Sequence, residues 1–94
     1  ILGTSKLGLP FPSPFNSEIT IPYRVSEPSH VLLVIYDVLD QRVSTIRDGF
    51  HDPGNYRVTW NGRDHTGGAM SSGLYFALFQ TAQVKRVAKL LLVR

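Results

Sequence analysis

The groups that could do chemistry in this chain are three histidines, seven acids and a scatter of serines. His30, His51 and His65 each fall at or beside a turn signal, and none stands in an HxH or HExxH spacing that would put two imidazoles on one face of an element for a metal. They read as solvated loop histidines, and only the fold could bring His51, Asp52 and Asp64 together. The loop Asn61-Gly62-Arg63-Asp64-His65-Thr66-Gly67-Gly68 is rich in oxygen, but it lacks the alternating Asp/Asn ligands and the closing bidentate Glu of a calcium loop. Asx turns account for Asn61 and Asp64 more simply, because their side chains can take nearby backbone amides. No serine sits in a GxSxG setting or at a spacing that suggests an acid and a histidine beside it. The chain has no cysteine, which removes disulfides, thiolate metal sites and thiol nucleophiles. A carboxylate pair for glycoside hydrolysis would need a cleft that loops this short do not build. The expectation is a non-enzyme with no catalytic residue, no metal and no cofactor.

Trp60 and the tyrosines could form an aromatic platform for sugars, but Trp60 shares parity with Tyr56 and Val58, which favours a place in the core. Glycan binding stays as a minor alternative. The net charge is +3 from ten basic and seven acidic residues, and the basic ones are spread singly rather than gathered along one face. That pattern argues against a nucleic-acid surface. The longest apolar run, Val31 to Tyr36, is strand length, far from the roughly 20 residues of a membrane-spanning helix.

These residues must be positioned by strands. At 43% hydrophobic and 18% charged, 94 residues make one small globular domain. Residues 1–8 show no period and read as a linker, with the domain proper over 9–94 and its boundary near Leu9. PFPSPFN then packs three prolines and two phenylalanines into seven residues. The expected roles are a stiff extended lead-in from Pro10, Pro12 and Pro14, a cap on the open end of the fold from Phe11 and Phe15, and a turn at Asn16. In SEITIPYRV, Ile19, Ile21, Tyr23 and Val25 alternate with polar residues, giving a strand with one buried face, and Pro22 suggests an edge or a bulge. HVLLVIYDV is apolar on both parities, as in a central strand buried on both sides along part of its length. Asp40 marks a left-handed turn, QRVSTIRD is another strand, and GFHDPGN holds a Pro-Gly turn. NYRVTW restores alternation, and GLYFALFQT with VKRVAKLLLV forms a long terminal hairpin. The prediction is an all-β fold, an antiparallel β-sandwich of six or seven strands, with a small open barrel as the alternative. The abrupt start at Ile1 predicts a piece of a longer protein, and KLLLVR, with no polar tail, reads as a natural C-terminus.

The order of motifs resembles the C-terminal Ig-like domains of bacterial exported proteins. An aromatic-Pro-x-Pro-Phe-Asn opening before a T-x-I-x-Y strand is matched by Pro12, Pro14, Phe15, Asn16, Thr20, Ile21 and Tyr23. VLLVIYDVLDQRV is similar to the family's second strand, turn and third strand. NYRVTWNGRDHTGGAMSSGLYFALF resembles its Trp-bearing strand, (N/D)G-x-D loop and SG-x-Y, carried here by Trp60, Gly62, Asp64, Gly73 and Tyr75. Ser17, Asp40 and Asn61 depart from the usual Pro, Gly and Asp. Two groups share the pattern: the sorting domain of type IX secretion cargo, and the Ig-like domain of the flagellar hook-capping protein.

The resemblance implies an Ig-like or fibronectin-like sandwich of about seven strands on a secreted or outer-membrane-surface protein, acting as a sorting and attachment signal. Its partner would be the secretion machinery, or else a neighbouring domain of the parent protein if the role is structural. Carried over by position, the recognition residues are Gly73, Tyr75, Lys89, Leu90, Leu91, Leu92, Val93 and Arg94.

Overall fold

The computed structural model describes residues 4–94. Seven strands run in chain order through them: β1 (Lys6–Leu7), β2 (Ile19–Val25), β3 (Ser29–Tyr36), β4 (Arg42–His51), β5 (Gly54–Trp60), β6 (Gly73–Gln80) and β7 (Lys85–Leu92). They form a three-stranded sheet of order β1-β2-β5 and a four-stranded sheet of order β4-β3-β6-β7, with every neighbouring pair antiparallel. This is an Ig-like β-sandwich, because two half-buried sheets can hide their apolar faces only against one another.

The core is the set of inward side chains that the alternation demands. In β2, Ile19, Ile21, Tyr23 and Val25 are all buried, and they meet Leu33 and Ile35 of β3, Ala77 and Phe79 of β6, and Leu90 and Leu92 of β7. Aromatic rings close both ends. Trp60 packs on Phe15 and edge-on to Tyr75, with centroids 5.7 and 5.2 Å apart. At the other end Tyr23 stacks on Tyr56 at 5.3 Å and packs against Phe79 and His51. Such rings bury large areas and add pair energy beyond area alone. Trp60 is 1% exposed and its indole N–H donates to the Arg63 carbonyl, so it offers sugars no platform.

Several local features differ from the sequence expectation. A short strand, β1, lies inside the stretch read as a linker, whose residues 1–3 fall outside the described residues. Ser5 is buried, its hydroxyl takes the Ser26 amide at 2.9 Å, and Lys6 and Leu7 pair with Arg24 and Tyr23. β2 is therefore a middle strand, not an edge. Pro22 fits there because its carbonyl takes the Gly8 amide at 2.8 Å just where β1 ends, so its missing N–H leaves no ladder bond broken. β4 runs on through Gly49 and Phe50, where the sequence predicts turn, and the tight turn shrinks to Asp52-Pro53. Asp40 has the expected positive φ, 62°, and the Asp37 carboxylate takes the Leu39 and Gln41 amides to hold that turn.

The proline-rich opening is not an extended arm. It bends at Pro12–Pro14, where the peptide bonds before Pro12 and Pro14 are cis. It crosses from one sheet to the other: Phe11 exchanges backbone bonds with Thr20 of β2, while Phe15 bonds to the last strand. Only Phe15 enters the core; Phe11 is 47% exposed.

Candidate functional site

The residues carried over as a recognition set lie on the terminal hairpin, where the register brings them side by side. Gly73 pairs with Leu92, Leu74 with Leu91, Tyr75 with Leu90 and Phe76 with Lys89. Because strand side chains alternate, the set divides into two faces. Leu90 and Leu92 point into the sandwich and are fully buried, as is Tyr75 at 4% exposure. Lys89, Leu91 and Val93 point away from the core, and Leu91 and Val93 are 41% and 48% exposed. Tyr75 is a structural tyrosine: its hydroxyl donates to the Ser71 carbonyl at 2.7 Å, four residues upstream. Tyr56 uses the same device on Asp52 at 2.6 Å, so β5 and β6 each begin with a G-x-Y corner of the kind found in Ig-like sandwiches.

The end of the strand is fastened at three points. Phe15 donates its amide to the Leu91 carbonyl at 3.0 Å and accepts from the Val93 amide at 2.8 Å, adding the opening segment as a parallel bridge along the edge of β7. The exposed Asn16 follows directly, and the turn there rests on these two backbone bonds. Arg94 donates its amide to the Ser72 hydroxyl. Its guanidinium reaches the Met70 carbonyl at 2.6 Å and the Gly62 carbonyl at 2.7 Å, clamping both arms of the 61–72 loop. Gly62 is required here: its φ is 71°, and a Cβ would stand 2.7 Å from the Arg94 Nη2.

Inside that loop Asp64 is the organiser. One carboxylate oxygen accepts from the Thr66 amide, the Thr66 hydroxyl and the Gly68 amide, and Asn61 takes the Arg63 amide. The Thr66 hydroxyl first, and then the Gly68 amide, hold the Asp64 carboxyl below its ordinary pKa. That oxygen is spent on the loop's own turn. Among the described residues no group of three or more His, Cys, Asp or Glu could hold a metal ion. His30 and His51 stand one ladder position apart but on opposite faces of the sheet, and His65 lies elsewhere. His30 pairs with Asp48 at 2.6 Å in an exposed contact, and His51 meets the Tyr23 hydroxyl at 2.7 Å. His65 bonds by its amide to Val43, at the opposite end of β4 from His51, so His51, Asp52 and Asp64 do not converge. Burial pushes the Tyr23 phenol up from its ordinary pKa, with Arg47 pulling it down by a smaller amount.

The Arg94 clamp and the β1 strand escaped the sequence reading. A terminal arginine looks like a tail charge, and two residues carry no period.

Comparisons with known proteins fit this geometry. No curated protein matches the chain. Among solved structures, dimeric latent PorU from Porphyromonas gingivalis superposes with a TM-score of 0.71 at 15% identity, covering 95% of this chain and 9% of that one. At that identity the likeness shows the fold, and the chain spans a small part of that protein's length. The family model described as the FlgD Ig-like domain matches residues 14–82, from Pro14 beside the β7 edge through the G-x-Y corners to the turn after β6. The chain belongs to the FlgD Ig-like domain family.

Proposed function

We propose that this domain is a non-catalytic module of a larger exported bacterial protein, and that it marks its parent for sorting to, and attachment at, the outer-membrane surface. The observation that carries the reading is the division of the terminal strand. Leu90 and Leu92 hold the fold, which leaves Lys89, Leu91 and Val93 free to be read from outside without opening the core. A reader that takes these outward side chains at every second residue needs no pairing with the β7 edge, which Phe15 already occupies beside Leu92. The motif order in the sequence supports the same role, and the secretion machinery would be the reader. The test is a passenger protein fused to residues 1–94 and expressed in a type IX-competent bacterium. The fusion reaches the surface while the bare passenger stays inside; retention of both contradicts the proposal.

Family membership favours a second reading, an accessory module that supports a neighbouring domain or an assembly. It requires packing and no free terminal strand. Under that reading outward-facing substitutions at Leu91 and Val93 leave export untouched.

A further inference from the structure

The two outer faces of the sandwich differ in character. Directly opposed residues of neighbouring strands point to the same side, so the register lays out each face in rows. On the three-stranded sheet the outward rows are Thr20–Thr59, Pro22–Arg57 and Arg24–Asn55, an ordinary solvated surface. On the four-stranded sheet one row runs Thr45–Val34–Leu78–Val87 and the next Arg42–Tyr36–Phe76–Lys89. The face is apolar at its centre, and Val34 is 1% exposed although it lies outside the core between the sheets. A shallow depression of about 390 Å³ opens there, lined by Tyr36, Phe76, Leu78, Val87, Lys85 and Asp40. This explains why HVLLVIY and GLYFALF are apolar on both parities: the sheet has a second apolar side.

The rim of that centre is mainly cationic, with Asp40 as the acid that lines the depression. Lys85 and Lys89 lie on the edge strand and Arg42 on the opposite side of the sheet. None has a carboxylate within 4.0 Å among the described residues, and the nearby Asp48 is engaged by His30. An apolar centre with a charged rim is the anatomy of a protein–protein contact. A second copy is the poorer occupant, because each copy would bring Lys85, Lys89 and Arg42, none with a carboxylate within 4.0 Å among the described residues, against Asp40 on the facing depression. A lipid surface is also poorer: the largest apolar groups, Tyr36, Phe76 and Leu78, lie half-buried along the sheet and do not project from it.

We propose that the outer face of the four-stranded sheet is a docking surface for a folded protein partner that presents an apolar patch flanked by carboxylates. Its test does not depend on the terminal strand being a sorting signal, since Leu78, Val87, Lys85 and Arg42 lie outside residues 89–94.

The test places a photo-crosslinking benzoylphenylalanine at Leu78, and separately at the more exposed Val87 in case Leu78 does not tolerate the change. A third copy carries it at Thr59 on the polar face. All three are made in the full polypeptide and irradiated in its native cell. A discrete adduct at Leu78 or Val87, absent at Thr59, whose contacting peptide is acidic, is the expected result. Its yield falls on the order of tenfold or more when Lys85→Glu and Arg42→Glu reverse the rim charge, while the isolated domain keeps its melting temperature. The proposal is overturned by no adduct at either position, by equal adducts at Thr59, or by adducts to a second copy or to lipid. An adduct yield unchanged by the charge reversal overturns it as well.

Discussion

Replacing Leu92 by alanine tests the division of the terminal strand against its immediate neighbour. Leu92 is 0% exposed and faces Gly73 across the ladder, beside Phe15 and the Trp60 end of the core. Truncating a fully buried leucine removes its transfer energy and leaves a cavity, a loss of about 2–5 kcal/mol. A domain of this size has a total stability of roughly 5–14 kcal/mol, so one substitution consumes a large part of it. At about 4–8 °C per kcal/mol, the melting temperature falls by roughly 8–40 °C. Leu91→Ala, one residue earlier and pointing outward, changes stability by about 0.5 kcal/mol or less. Thermal and urea denaturation of the two variants side by side read the difference directly. Equal losses, or a greater loss at Leu91, would refute the assignment of inward and outward faces. The same arithmetic shows why deleting Lys89–Arg94 is a poor test of a signal: it removes two buried leucines together with the Phe15 and Arg94 bonds, and the domain unfolds.

Other perturbations follow from the same contacts. Arg94→Ala frees the 61–72 loop and lowers stability by about 1–2 kcal/mol, discounted for the side chain's exposure; Arg94→Lys recovers less than half in urea titration, because an ammonium cannot span both carbonyls. Tyr75→Phe loses about 0.5–1.5 kcal/mol by removing the bond to Ser71, and Tyr56→Phe loses less at its more exposed corner. The Asp64 carboxyl is held below its ordinary pKa, so its contribution is full above the unfolded value of about 3.9 and is lost as pH falls through the lower folded value. The difference in urea midpoint between the native chain and Asp64→Asn is therefore constant near neutrality and shrinks in acid; a gap that persists to the lowest pH measured contradicts the loop assignment.

Much of this fold is legible in the chain because strand parity is a strong signal. Ile19, Ile21, Tyr23 and Val25 alternate in the sequence and are buried in the structure, and Tyr56, Val58 and Trp60 share a face as their spacing requires. What parity cannot say is which partner lies on the second side. Leu74, Phe76 and Leu78 look like core by composition, yet they form the outer face. β4 outran its expected end because Gly49 close to Pro53-Gly54 reads as turn, while Gly49, Phe50 and His51 in fact pair with Val31, His30 and Ser29. Phe11 and Phe15 have the same composition around them, but only Phe15 reaches Leu92 at the other end of the chain, a non-local contact that no local pattern encodes. The candidate recognition residues were legible as a stretch. Their separation into structural and presented halves needed the register of β6 and β7.

The most direct measurement is surface display of a passenger fused to this domain, compared between the native sequence, the pair Leu91→Glu and Val93→Glu, and Thr59→Glu on the opposite sheet, with the melting temperature of each domain taken alongside. The account predicts that the terminal pair abolishes display with an unchanged melting temperature, while Thr59→Glu behaves like the native chain. Full display by the folded terminal-pair variant would contradict it.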